Sequence, residues 1–152
     1  MREIDALDRK LLRELQQDAA LPLEQLGERI GLSRNACWRR MRTLEKTGVI
    51  RGRVVLLNPE ILGLNLTVFI QIKAATHDTE WMTRLTQAVR GLPEIQGVYR
   101  MTGDLDYLLR ARVGDMADYD RLYQKLVSLV PMRDVSASFV MEEIKETTAL
   151  PL

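Results

Sequence analysis

Apolar positions in the first fifty residues recur at helical spacing. Ile4, Leu7, Leu11, Leu12 and Leu15 fall three or four apart and predict a helix with one apolar face. Asp18-Ala19-Ala20 interrupts it, and Pro22 can open the next helix because a first-turn N–H has no intrahelical partner to lose. Leu23, Leu26 and Ile30 form the stripe of that second helix. Gly31 stands where a helix ends in a left-handed residue, Leu32 plugs inward, and Ser33 is placed to cap a third helix. In the third helix Cys37, Met41 and Leu44 mark the buried side, and Gly48 ends it. The run Val49–Leu57 is β-branched and apolar, compatible with a strand. Two helices joined by a short Gly-containing turn make a helix-turn-helix unit, and a strand after it gives the winged form.

Asn58-Pro59 begins a connector that runs through Gly63-Leu64-Asn65, and beyond it the period changes to alternation. Leu66, Val68, Ile70 and Ile72 share one side of a strand, with Thr67, Phe69, Gln71 and Lys73 opposite. Trp81, Met82, Leu85, Ala88, Val89 and Leu92 mark a helix that ends near Pro93. Ile95–Met101 and Tyr107–Val113 read as strands around a tight Thr102-Gly103-Asp104-Leu105 turn. A second helix carries Met116, Tyr119, Leu122, Tyr123, Leu126, Val127 and Val130, capped by Asp115. Val135, Ala137, Phe139 and Met141 line one side of a last strand. The order βαββαβ is the ferredoxin-like layout, so the expected class is α+β. The expected domains are a winged helix-turn-helix over 1–53, a connector over 54–65 and a ferredoxin-like domain over 66–152. Such a sheet carries helices on one face only, and packing on a second copy is the simplest cover for the other.

At 152 residues, 46% hydrophobic and 28% charged, the chain suits one domain or two small ones rather than a large enzyme. No run approaches the roughly 18 apolar residues of a membrane span, and no signal-peptide apolar region opens the chain, so a cytoplasmic protein is expected. One cysteine, Cys37, excludes an internal disulfide framework and a cysteine-cluster metal site. A single histidine, His77, leaves histidine-based metal or catalytic sites with almost nothing to work with, and it reads as a surface residue ahead of a helix. Neither a catalytic site nor a bound cofactor is expected. Cys37, at buried spacing, reads as a small core residue.

Charge is balanced at +1 overall but unevenly placed. Residues 1–53 hold twelve bases and eight acids, whereas 54–152 hold ten and thirteen. Within 33–53 there are seven bases (Arg34, Arg39, Arg40, Arg42, Lys46, Arg51 and Arg53) and one acid, Glu45. A solvated helix face usually interleaves both signs, whereas this excess suits a phosphate backbone. On a helical projection Arg34, Trp38 and Arg42 form one stripe with Asn35 and Arg39 beside it, away from Cys37, Met41 and Leu44. A helix of that kind fits a major groove, where Arg pairs with guanine, Asn with adenine and an apolar ring meets a thymine methyl. The capped end at Ser33 adds backbone N–H donors for a phosphate. For Trp38 the alternative is packing against a neighbouring domain. Arg40 borders the buried stripe, and pairing with an acid of the first helix such as Asp8 is favoured over a DNA contact. Arg51 and Arg53 reach a flanking phosphate or are simply solvated.

Gly31-Leu32-Ser33, Cys37, Arg40-Met41, Leu44-Glu45 and Gly48-Val49-Ile50 together resemble the Lrp/AsnC family of leucine-responsive and asparagine-operon regulators. So do Leu7-Asp8 with Leu11-Leu12, Leu57-Asn58-Pro59 with Gly63, Thr102-Gly103-Asp104-Leu105-Asp106-Tyr107, and Ser136, Ser138 and Glu143-Ile144-Lys145 near the end. The resemblance covers practically the whole chain in order. Cys37-Trp38-Arg39-Arg40 is most similar to a proteobacterial branch that includes a cysteine-responsive regulator. The resemblance implies a transcriptional regulator that binds double-stranded DNA through the helix matching 33–46. It implies dimerisation through the ferredoxin-like domain, octamers of four dimers, and a small effector, usually an amino acid. The effector would bind near Met101, Thr102, Gly103, Asp104 and Asp106 and the last-strand Ser136 and Ser138.

The chemistry is compatible: Gly103 permits close backbone approach, and Asp104 and Asp106 can accept hydrogen bonds from an ammonium group. Ser136 and Ser138, two apart on a strand, turn their hydroxyls the same way and can meet a carboxylate. A plain hairpin with solvated serines is the alternative. Two departures from the family pattern are Pro22, where Ser, Thr or Asn usually caps the second helix, and serine rather than threonine at 136 and 138. A tetrapyrrole-decarboxylase-like enzyme of the same fold and a non-specific architectural DNA-binding protein are the competing functions. The single histidine weighs against the first and Asn35 against the second.

Overall fold

The computed structural model describes residues 3–152, which form two compact units. One extends to Leu56 and also takes in Lys145–Leu152; the other is Leu57–Ile144. The sequence reading assigned 145–152 to the second domain, but the tail seats itself on the first unit. Leu152 packs against that unit's core. The Leu150 N–H donates to Gln16 Oε1 at 2.6 Å, the Gln16 amide donates back to the Leu150 carbonyl at 3.2 Å, and Arg13 Nε donates to the Leu152 carbonyl at 2.6 Å.

The first unit is built from α1 (Ala6–Gln17), α2 (Leu23–Ile30) and α3 (Arg34–Lys46). Its core joins Leu11, Leu12, Leu26, Ile30, Cys37, Met41 and Leu44, the periodic positions expected. Asp5 caps α1 in a reciprocal capping box with Asp8, Pro22 stands at the N-cap of α2 without a side-chain bond, and α2 ends at Gly31. Burial pushes the Cys37 thiol up, against the pull of the Arg40 charge, so it behaves as a neutral core side chain.

The expected strand at Val49–Leu57 does not form in this chain, which therefore builds no wing beside α3. Ile50 packs against the core of the first unit, but from Val54 to Leu57 the side chains stand in solvent, with Val54 80% and Val55 82% exposed. A β-prone run becomes a strand only when another edge completes its ladder, and none of the described residues supplies one.

The second unit runs β1 (Leu66–Ala74), α4 (Thr79–Arg90), β2 (Ile95–Arg100), β3 (Tyr107–Val113), α5 (Met116–Leu129) and β4 (Met132–Phe139). The antiparallel sheet has the order β2-β3-β1-β4. Alternation sends Val68, Ile70 and Ile72 of β1 and Leu109, Ala111 and Val113 of β3 into one core with Trp81, Leu85, Leu122 and Leu126 of the helices. The positions between them, such as Phe69, Gln71, Leu108 and Arg110, belong to the face without helices. The last strand stops at Phe139, so Met141 is not part of it and is fully exposed. The hairpin strand likewise ends at Arg100, leaving Met101 to the turn.

Arg40 turns inward as a tie between α3 and the start of α1, the structural role favoured from the sequence. Its Nη1 donates to Asp5 Oδ2 and Asp8 Oδ1, each at 2.7 Å, and Asp8 is 1% exposed. The Asp8 N–H on Asp5, and then the Arg40 guanidinium, hold the Asp5 carboxyl below its ordinary value. Replacing Arg40 by Ala deprives a buried carboxylate of its guanidinium, and urea unfolding should show a loss of about 2–3 kcal/mol. A change within experimental error would exclude the tie. Because the folded-state pKa of Asp5 is depressed, its contribution is complete above the unfolded value of about 3.9 and disappears as pH falls through the lower folded value. Acid titration monitored by helical circular dichroism should therefore show Asp5→Asn flattening the final loss of stability below about pH 4.

Candidate nucleic-acid interface

The Ser33 hydroxyl accepts the Ala36 N–H at 3.3 Å, which starts α3. Cys37, Met41 and Leu44 enter the core, so the opposite surface must carry the remaining side chains outward. Ser33, Arg34, Asn35, Trp38, Arg39 and Arg42 are all exposed, and Arg51 and Arg53 are exposed after the helix. Trp38 keeps 51% of its surface open, and the Arg42 guanidinium lies 5.7 Å from its ring centroid, a cation–π distance.

The cations of this surface differ in how they are held. Arg53 Nη2 donates to Glu45 Oε1 at 2.8 Å and reaches Met41 Sδ at 3.0 Å, while Arg42 Nη1 stands 3.6 Å from Glu45 Oε2. An open groove of 690 Å³ runs between the Trp38–Glu45 edge of α3 and the Arg51–Arg53 segment, floored by Leu23 and Ile50. Charge composition alone did not reveal that Glu45 engages two of the arginines. The spacing of Arg42 and Glu45, three apart on a helix, was the available signal for one of those pairs.

The expected effector residues fall into two places within the second unit. Met101, Thr102, Gly103 and Asp104 form an exposed turn, with Gly103 at φ 103°. Asp106 anchors it: Met101 N–H donates to the Asp106 carbonyl at 2.9 Å, and Asp106 N–H to Ile72 O at 3.0 Å. The carboxylate accepts the Ala74 N–H at 2.8 Å and its other oxygen is 3.9 Å from His77 Nε2. One oxygen of Asp106 is thus committed to the backbone of β1, and Asp104 carries the outward carboxylate. Ser136 and Ser138 lie on β4, opposite Gln71 and Phe69, with β1 between them and the strand that follows the turn. Ser136 Oγ donates to Gln71 Oε1 at 3.4 Å. A single chain does not bring these hydroxyls to the turn, since two strand spacings of about 4.8 Å separate β4 from β3. His77 is exposed, as expected. Among the described residues no cluster of His, Cys, Asp or Glu could hold a metal ion, and no helix is long and apolar enough to cross a membrane.

Comparison with known proteins bears on both units. Residues 4–45 match the AsnC-type helix-turn-helix domain, and residues 67–150 match the Lrp/AsnC ligand binding domain. The chain is 50% identical to the glutamate uptake regulatory protein of Zymomonas mobilis, over all of this chain and 93% of that protein. It is 47% identical to the DNA-binding transcriptional activator DecR of Escherichia coli, over 98% of this chain and 99% of the relative. Among solved structures, an AsnC family transcriptional regulator from Agrobacterium tumefaciens superposes with a TM-score of 0.93 at 48% identity, over 97% of this chain and 96% of that one. A transcriptional regulator of Neisseria meningitidis, solved as a complex with L-Met, also gives 0.93, at 35% identity over 98% and 97%. With both halves matched in order and such relatives spanning its whole length, the chain belongs to the Lrp/AsnC family of DNA-binding transcriptional regulators.

Proposed function

We propose that the protein reads a pseudo-palindromic duplex site through α3 as a homo-oligomer, and that an amino acid bound beside the 101–106 turn alters that assembly. The observation that carries the first part is the outward face of α3, where Arg34, Asn35, Trp38, Arg39 and Arg42 stand exposed opposite the buried Cys37, Met41 and Leu44. Arg39 and Asn35 then address base edges, while the Ser33 end of the helix, Arg51 and Arg53 address phosphates. The segment 54–65 serves as the connector between reader and effector domain. Arg39→Ala should weaken binding by roughly 1–3 kcal/mol and relax preference at one base position, as read by binding to a duplex selected from a random pool and its single-base variants. A uniform loss across sequences would make Arg39 a phosphate contact.

Self-association is supported by two surfaces: the sheet face without helices, and the exposed run Val54, Val55, Leu56 and Leu57. We infer a dimer through the second unit and further assembly to an octamer of four dimers. Ser136 and Ser138, remote from the turn of their own chain, then complete an effector site only where subunits meet. The Neisseria relative's complex with L-Met supports an amino acid as the ligand class. Asp104 takes the ammonium group and the serine hydroxyls the carboxylate. Effector control requires that the ligand bind one assembly better than another. A thermal-shift screen of the twenty amino acids should yield a stabilising hit, and light scattering with it should show a changed mass. Asp104→Ala should abolish that change while leaving the dimer folded; an unaltered response would remove Asp104 from the site.

A further inference from the structure

We propose that Glu45 is a specificity-determining brake on DNA binding, its carboxylate holding Arg42 and Arg53 so that duplexes offering only phosphates gain little from them. This rests on the reading of α3 and the 51–53 segment as the DNA-facing surface. Glu45 is the single acid among seven bases in residues 33–53. Both of its oxygens are engaged: Oε1 by Arg53 at 2.8 Å and Oε2 by Arg42 at 3.6 Å. Arg53 is held a second time by Met41 Sδ at 3.0 Å, which draws it back along α3. Glu45 is only 31% exposed, so the carboxylate is partly withdrawn from competing water.

No ion pair is recorded for Arg34, Arg39 or Arg51 among the described residues, so the surface holds two classes of cation. The unpaired class meets any duplex at once. Arg42 and Arg53 meet a phosphate only after leaving Glu45, and the carboxylate they leave behind then repels that phosphate. Non-specific affinity is almost wholly electrostatic, whereas a specific site adds base-edge contacts. A specific site, seated by base edges, gains less from freeing Arg42 and Arg53 than random DNA does, so a carboxylate at this position penalises random DNA by more free energy and widens the ratio between the two. Its contribution to folding is small by comparison, because partly exposed ion pairs contribute little stability.

The test uses the full chain and needs no known operator. Binding of a random-sequence duplex is measured by fluorescence anisotropy over a graded salt series, beside a duplex that the unsubstituted chain enriches from a random pool. Glu45→Gln, which keeps size and loses charge, should bind random DNA about tenfold more tightly at low salt, with log K against log salt steeper by about one to two. The preference for the selected duplex should fall, and Glu45→Asp should restore the original slope in part. Glu45→Ala carries the same expectation as Glu45→Gln and guards against a packing effect of either variant. Arg42→Ala with Arg53→Ala should flatten the slope. If that double variant flattens it but neither neutral Glu45 variant changes it, the brake is wrong and the interface stands. If the double variant also leaves the slope unchanged, the assignment of Arg42 and Arg53 to the DNA-facing surface falls with it.

Discussion

A cation on the inner edge of a helix needs a carboxylate, and in this protein that need orients α3. Arg40 lies between the buried Met41 side of α3 and its outer surface, and its guanidinium bridges Asp5 and Asp8 at the start of α1. Asp8 is both a buried anion and the reciprocal member of the α1 capping box. One contact thus closes the end of α1 and sets the rotation of α3 against it. With that rotation set, Arg34, Trp38, Arg39 and Arg42 have only the solvent side available. Coulomb attraction in a partly dry setting provides a directional constraint that apolar packing alone lacks.

The outer surface follows the opposite logic. Its cations are hydrated or loosely paired: Arg53 and Arg42 share the partly exposed Glu45 carboxylate, and pairs of that kind are weak. The Glu45 carboxylate is partly open to water at 31% side-chain exposure, whereas that of Asp8 is closed off at 1%. The chain thus uses arginine in two ways within three residues, at Arg40 and Arg42. In the second unit Asp106 plays a role comparable to that of Asp8: it ties the turn to the end of β1 through Ala74, and the outward Asp104 is left to the solvent.

Much of this was legible from residue order because it depends on neighbours in the chain. Helices α1 to α5 follow from apolar positions three and four apart, and Ser33 and Asp115 cap the helices they precede. Strand β3 begins and ends where alternation begins and ends, at Tyr107 and Val113. The Arg40–Asp8 pair was also open to inference, since a cation next to a buried stripe must find an anion on the element packed there. The exposure of Arg34, Asn35, Trp38 and Arg39 follows from the same periodicity. Val49–Leu57 has β composition, yet composition cannot supply the second edge a strand needs, and the run stays unpaired.

Local periodicity, charge order and cap chemistry therefore determined the elements, their sequence in the two units, and the exposed basic face of α3. These are short-range matters of sterics and solvation, and each is written in consecutive residues. Tertiary structure decided what depends on distant partners. Examples are the seating of Leu150 and Leu152 on α1, the use of Asp106 to hold a turn, the separation of Ser136 and Ser138 from that turn, and the capture of Arg53 by Glu45. Each of these is a contact whose geometry exists only after the chain has folded back on itself, and spacing along the sequence does not encode it.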